Sequence, residues 1–218
     1  MQLVLASASP ARRAVLSSAG VEPVVVVSDL DEEALLAELG DASPAEKVTA
    51  LAMAKARAVA GRVPAEVDGG FDGVVVGCDS MLDVGGELVG KPGTTEAARA
   101  RWQQLAGGHG ELVTGHAVIR LRGGLPDAEI SGHAATMVTF GTPSEAELEG
   151  YLASGEPLAV AGAFTLDGLG AWFVEGIQGD PSNVVGISLP LTRHLLAELG
   201  VGINDLWAPG APGGPAAG

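Results

Sequence analysis

The segment Ser7-Ala8-Ser9-Pro10-Ala11-Arg12-Arg13 lies where a short apolar run hands over to a helix entry. Ser9 is placed to cap that helix, and Pro10 to occupy its first position. A helix start offers unpaired N–H groups and the positive end of the dipole. The hydroxyls of Ser7 and Ser9 add hydrogen-bonding capacity. An arginine there, Arg12 or Arg13, can grip an oxyanion through two parallel N–H groups. Cations in a first turn oppose the dipole, and an anion nearby would offset that cost. Taken alone, the segment also reads as a plain cap with both arginines solvated.

Four more places carry residues suited to the same chemistry. Asp79 follows the apolar run Val74-Val75-Val76, at the carboxyl end of a predicted strand. A carboxylate there can hold a divalent metal or take a proton from water, or it can simply cap a turn. Lys91, in Gly90-Lys91-Pro92, stands in a glycine-flanked loop and suits a point charge aimed at a phosphate, or is a solvated turn lysine. Glu32 belongs to an acidic cluster with Asp29, Asp31 and Glu33 that either ligates Mg²⁺ or opens an acidic helix. Lys55 lies mid-helix among alanines, pointing into a cleft or snorkelling to solvent. Gly179-Asp180-Pro181-Ser182-Asn183 is a turn by chemistry that can also present polar groups. His109, His116 and His133 lack metal-ligand spacing, and Cys78 reads as a buried strand residue. Neither a phosphate-binding G-x-x-x-x-G-K-[ST] loop nor a G-x-G-x-x-G fingerprint is present.

The elements that must position these residues alternate early in the chain. Residues 2–6 and 23–28 are predicted strands, with a helix from Pro10 to about Ala19 between them. A short acidic helix is expected over 30–39. The box Ser43-Pro44-Ala45-Glu46 opens a helix to about Ala60. Residues 62–72 read as a loop and 73–78 as an apolar strand. A hairpin or turn over 83–93 precedes a helix from about Thr95 to Leu105. Residues 111–122 and 132–140 read as two long antiparallel strands. Thr142-Pro143-Ser144-Glu145 is read as a second capping box, opening a helix to about Ser154. Residues 156–187 are Gly-rich, with a strand at 171–175, and 188–199 form a last helix. This pattern predicts an α/β fold, α+β lobes around a mixed sheet.

Length and charge bound the function. The 218 residues carry a formal net charge of −15, with 12 Lys and Arg against 27 Asp and Glu. So acidic a chain is poorly suited to nucleic acid or an anionic membrane, since binding there relies on many cations. It still suits a small anion if its few cations gather at one place. One cysteine allows no intrachain disulfide, and no apolar run approaches the ~20 residues that span a bilayer. A soluble, cytoplasmic protein is expected.

The order of these segments is more specific than any of them singly. LVLASASPARRAVLSSAGV, Asp31-Glu32, LAMAKARAV, VVVGCDS, GKP, YLASGEPLAVAGAFTLDGLG and GDPSNVVGISLPL together resemble the Maf family of nucleoside triphosphate pyrophosphatases, from about Leu3 to Leu199. The resemblance implies one catalytic domain over 1–207, with two lobes flanking a deep central cleft, and a Pro/Gly/Ala tail over 208–218 of disordered composition. It implies hydrolysis of a nucleoside triphosphate to the monophosphate and diphosphate with Mg²⁺ or Mn²⁺, in a homodimer. By position, Asp79 would accept the proton of water, while Ser9, Arg13, Lys55 and Lys91 would hold the phosphates, joined by Ser7 and Arg12 from the helix start. Glu32 and Asp79 would place the metal. Three positions set base preference in the family. The dTTP/UTP-type members have Arg, Thr and Gln where this chain has Ala11, Ser80 and Asp167, and the 7-methyl-GTP-type members have a bulky residue, Gln and Glu. Ala11 departs from the first pattern, Asp167 leans toward the second and Ser80 fits neither, so the base stays open. The alternative activity is a nucleotide-sensing regulator of cell division and septum formation with little hydrolysis.

Overall fold

The apolar run near the start forms strand β1 (Gln2–Leu5) in a computed structural model that describes residues 1–208. Leu3, Val4 and Leu5 are all buried. Strand β1 pairs in parallel with β2 (Val24–Val25) on one side and β3 (Gly73–Val84) on the other. Between β1 and β3 the chain forms α1 (Pro10–Ser18), α2 (Glu32–Leu39), α3 (Pro44–Ala60) and α4 (Val63–Glu66). After β3 come β4 (Glu87–Val89), α5 (Thr95–Leu105), β5 (His109–Arg122), β6 (Leu125–Phe140), α6 (Glu145–Ala153), β7 (Val174–Gln178), α7 (Pro181–Val185) and α8 (Leu189–Glu198). The strand order is β2-β1-β3-β5-β6-β7, with β4 paired to β3, in a mixed sheet of seven strands. The fold is therefore α/β with a mixed sheet, as the alternation of elements predicts. The Pro/Gly/Ala tail lies outside the described residues, apart from Ala208, whose N–H donates to the Gly20 carbonyl at 2.8 Å.

The chain divides into two compact units. The first holds Met1–Asp79, Gly115–His133 and residues 189–208; the second holds Ser80–Thr114 and Ala134–Ser188. The core of the first gathers Val4, Val26, Ala56, Val59, Val75 and Ile119. The core of the second is built around Trp102, whose ring meets Phe140, Tyr151 and Phe173 edge-on at centroid distances of 5.9, 5.9 and 5.5 Å. Edge-to-face contact suits the quadrupoles of these rings. No helix among the described residues is long and apolar enough to cross a membrane.

Local signals foretell most element starts, and the exceptions have physical causes. At Ser43 both capping-box bonds form, Glu46 N–H to Ser43 Oγ at 3.3 Å and Ser43 N–H to Glu46 Oε2 at 2.8 Å. The second box is shifted from its expected frame. Ser144 is the cap and Glu147 its partner, with Ser144 N–H donating to Glu147 Oε2 at 2.7 Å. Two S/T-x-x-E frames overlap there, and Thr142 and Pro143 precede the helix instead of opening it. Residues 62–72 are not wholly loop, because α4 forms within them with Pro64 in its first turn, a position that needs no N–H. The strand expected at 171–175 falls at β7, after a 3₁₀ stretch over Leu169–Phe173. The turn at 179–183 continues into α7, capped by Asp180, whose carboxylate accepts from Ser182 N–H at 2.9 Å. Strand β3 is twice its expected length. It runs on past Asp79 because Leu82, Asp83 and Val84 pair antiparallel with Val89, Leu88 and Glu87. Asp79 is thus a mid-strand residue rather than the end of a strand.

Two glycines let α3 lie directly on this sheet. A Cβ at Gly77 would overlap the Ala52 carbonyl oxygen and come within 2.9 Å of the Ala56 nitrogen. A Cβ at Gly115 on β5 would overlap the Val48 carbonyl and reach 2.5 Å from the Thr49 nitrogen. The obstacles are backbone atoms of a helix, which cannot swing aside as a side chain can. Gly77→Ala and Gly115→Ala are each expected to lose at least ~1–3 kcal/mol of stability in urea unfolding, as overpacked sites do. Gly69→Ala is the control, since its nearest neighbour would lie 3.7 Å away. An unchanged midpoint for Gly77→Ala contradicts the close approach.

Candidate active site

Helix α3 buries one stripe, consisting of Val48, Leu51, Ala52, Lys55, Ala56, Val59 and Ala60. Six of these are apolar, and the spacing of three and four residues defines a single face. Lys55 is therefore carried into the sheet by its neighbours. Its ammonium meets Asp79 Oδ1 at 2.6 Å and Glu32 Oε1 at 2.8 Å. Lys55 and Asp79 are 7% and 6% exposed, a depth at which charge survives only when paired. Glu32 comes from the first turn of α2, behind the Asp31 cap, which accepts from Ala34 N–H at 3.0 Å. One ammonium thus joins two carboxylates from different elements of the first unit.

Burial pushes the Asp79 acid above the ordinary aspartate range. The charges of Lys55 and Arg12 pull the other way, and that of Glu32 adds to the rise. A carboxylate in this state remains a base but holds a proton more readily than one in water. Next to it, burial pushes the Cys78 thiol up to about 11, so it is not a nucleophile.

The start of α1 supplies the cationic side. Ser9 caps the helix, accepting from Arg12 N–H at 3.4 Å. Ser7 is buried and accepts both the Ser9 N–H at 3.2 Å and Arg12 Nη1 at 3.0 Å. Arg12 is held toward the sheet by this bond, and its charge is felt at Asp79. Arg13, one residue on, points along another face and donates to Glu22 at 2.8 Å. That bond, followed by one from Ser17, holds Glu22 below the usual carboxylate range. The structure thus gathers Glu32, Lys55 and Asp79 into one ion cluster, sets the Ser7–Arg12 pair within electrostatic reach of Asp79, and gives Arg13 a surface partner. Ala11 is half-buried in the first turn of the same helix. Asp29, from the acidic cluster, instead pairs with Arg62 at 3.1 Å.

The remaining sequence candidates belong to the second unit. Ser80 shares a hydrogen bond with Thr114, their hydroxyls 2.9 Å apart. Lys91 is exposed on a loop tied to a neighbouring segment by Gly93 N–H to Leu158 O at 3.0 Å and Gly162 N–H to Gly90 O at 3.2 Å. Asp167 is exposed on the Gly-rich stretch. Asn183 is wholly buried, its Nδ2 donating to Leu112 O and Thr136 Oγ1 at 3.1 Å each. This asparagine joins the strands and does not present itself to a ligand. Sequence reasoning missed Gly77 and Gly115, on which Lys55's approach depends; glycine inside an apolar strand is the signal that could have found them.

Glu32 and Asp79 are the pair suited to a metal. Both reach the same ammonium, so both can reach one cation in its place. No group of three or more His, Cys, Asp or Glu converges among the described residues. Two carboxylates fit Mg²⁺ or Mn²⁺ of the kind completed by water and substrate phosphates.

The chain belongs to the family of Maf-like proteins, whose family model matches residues 2–199. It is 61% identical over 210 residues to a protein of Saccharopolyspora erythraea named nucleoside triphosphate pyrophosphatase, covering 96% of this chain and 98% of that protein. Relatives of the same name from Nocardia farcinica and Rhodococcus jostii are 62% and 59% identical, over 94% of this chain and 96% and 95% of theirs.

Removing one member of a buried ion pair leaves the other uncompensated. Lys55→Met is expected to cost ~3–5 kcal/mol in urea unfolding, and Lys55→Met with Asp79→Leu to recover much of it. Additive losses in the double variant would contradict the pairing.

Proposed function

We propose that the chain hydrolyses nucleoside triphosphates to the monophosphate and diphosphate, with Asp79 accepting the proton of the attacking water. The observation that carries this reading is the buried Asp79 carboxylate, held by Lys55 next to Glu32 and within the field of Arg12. The relatives' names support it, as does the match along nearly the whole chain. Water attacks the α-phosphorus, the bond to the bridging oxygen breaks, and diphosphate leaves.

Each residue has a share in this. The raised acidity range of Asp79 suits it to take a proton from water and keep it while the bond breaks. Ser9 at the start of α1 faces the phosphates, Ser7 orients the Arg12 guanidinium, and Arg12 neutralises charge that builds on the leaving oxygens. Arg13 joins if it leaves Glu22. Lys91 stands at the position of the family's phosphate-holding loop lysine. Glu32 and Asp79 would hold Mg²⁺ or Mn²⁺, which would neutralise charge on the phosphate oxygens, and Lys55 would donate to phosphate. The three positions that set base preference in the family carry Ala11, Ser80 and Asp167 here, and the acidic Asp167 favours a base edge rich in donors. The enzyme acts in the cytoplasm, where its substrates are, as a homodimer.

Diphosphate release across standard and modified nucleoside triphosphates, with and without Mn²⁺, tests this directly. Wild type is expected to show metal-dependent release on at least one substrate, and Asp79→Asn to lose at least ~10²-fold, the lower range for a general base. No release by wild type on any of them contradicts the reading and favours a nucleotide-sensing regulator of division. Release that survives Asp79→Asn contradicts the role of that carboxylate.

A further inference from the structure

Glu156 stands at the start of a 3₁₀ turn (Glu156–Ala159), in the sequence Gly155-Glu156-Pro157. Its carboxylate accepts three hydrogen bonds, all from one short stretch downstream. Thr165 Oγ1 donates to Oε1 at 2.5 Å, Gly170 N–H to the same oxygen at 3.0 Å, and Leu169 N–H to Oε2 at 3.0 Å. Thr165 Oγ1 also accepts from Gly170 N–H at 3.1 Å. Burial raises the carboxyl's acidity range, but the donors around it, Thr165, Leu169, Gly170 and the Tyr151 hydroxyl of α6, outweigh it and hold the group below the usual glutamate range. The side chain is a charged acceptor around which residues 165–170 are folded.

The fit is tight enough to explain the glycines there. A Cβ at Gly168 would lie 2.6 Å from Glu156 Oε2. A Cβ at Gly170 would lie 2.6 Å from both the Thr165 nitrogen and the Tyr151 hydroxyl. Upstream, the entry to the stretch is fixed too. The Trp102 indole donates to the Ala163 carbonyl at 2.8 Å, holding an alanine in the left-handed region at φ 61°. Such a conformation costs ~1 kcal/mol or more and persists where its surroundings impose it. Asp167 lies inside this pinned stretch, one residue before Gly168, and is exposed. The backbone of its loop is thus fixed from both sides while its own carboxylate stays open to solvent.

We propose that Glu156 is the positioning residue for base recognition, holding the loop 165–170 in the one conformation that presents Asp167 to the nucleotide. This rests on the reading of Asp167 as a base-facing residue. Glu156 touches neither the phosphates nor the water in this scheme. Its loss therefore loosens the choice of base and spares the chemical step. A hydrogen-bonded carboxylate is the right device for this, because anionic acceptors bind backbone N–H groups about twice as strongly as neutral ones.

The test compares wild type with Glu156→Ala, Glu156→Gln, Asp167→Ala and the Glu156→Ala/Asp167→Ala double variant. Read-outs are kcat and KM for nucleoside triphosphates differing only in base, and hydrogen exchange at the Leu169 and Gly170 amides. Glu156→Ala is expected to change kcat on the best substrate by less than about threefold, since Asp79 and Lys55 are untouched, and to cut base discrimination in kcat/KM about tenfold, the weight of one lost hydrogen bond of ~1.4 kcal/mol. Glu156→Gln, which keeps one acceptor oxygen, is expected to lie between wild type and alanine. It also serves if the alanine variant fails to fold. The double variant is expected to discriminate no worse than Asp167→Ala. Faster exchange or a lower melting point with unchanged discrimination makes Glu156 merely structural and overturns the proposal alone. Unchanged discrimination in Asp167→Ala overturns the base-facing reading and this proposal with it.

Discussion

A lysine ammonium held between two carboxylates, one of them buried, is the interaction on which the active-site account depends. Lys55 can be buried only because Asp79 and Glu32 meet it at 2.6 and 2.8 Å. Burial raises the Asp79 acid above its ordinary range, while Lys55, helped by the field of Arg12, favours its charged form. Neither charge is tolerable alone. The arrangement buries a carboxylate and sets a single ammonium against it and its partner Glu32.

That interaction is made possible by backbone geometry. Lys55 reaches the sheet because α3 lies against β3 and β5 with no side chain between them, at Gly77 and Gly115. The apolar stripe of α3 sets its rotation, so Lys55 faces Asp79 while Arg57, also on α3, faces outward and pairs with Glu129 on β6. In the second unit the same logic recurs with hydrogen bonds in place of packing. Trp102 and Glu156 hold the backbone on either side of Asp167, as glycines permit close approach. In both units particular side chains stand on backbone that other residues have fixed.

Much of this is legible in the sequence, and what is not has definite reasons. The helix start at Ser9-Pro10, the box at Ser43 and the burial of Cys78 follow from local chemistry alone. The depth of Lys55 is also written there, because it stands four residues after Leu51 and four before Val59. The length of β3 was hidden because Asp79-Ser80 resembles a turn, and only the pairing with β4 carries the strand onward. Arg12 and Arg13 differ by about 100° around α1, and which one faces Asp79 depends on how the helix rolls on the sheet. The role of Glu156 could not be read, since its partners are nine to fourteen residues downstream in a stretch without regular periodicity. Gly77 and Gly115 announce a close approach without saying by what. The residue types thus narrowed the chemistry early, whereas their mutual distances belong to the tertiary structure.

The role proposed for Asp79 is to direct water to the α-phosphorus of a nucleoside triphosphate. Turnover in ¹⁸O-labelled water, with the products separated and weighed by mass spectrometry, tests this most directly. One heavy oxygen is expected in the nucleoside monophosphate, none in the diphosphate, and neither product from Asp79→Asn. Label in the diphosphate, or release of orthophosphate with a nucleoside diphosphate, would contradict it.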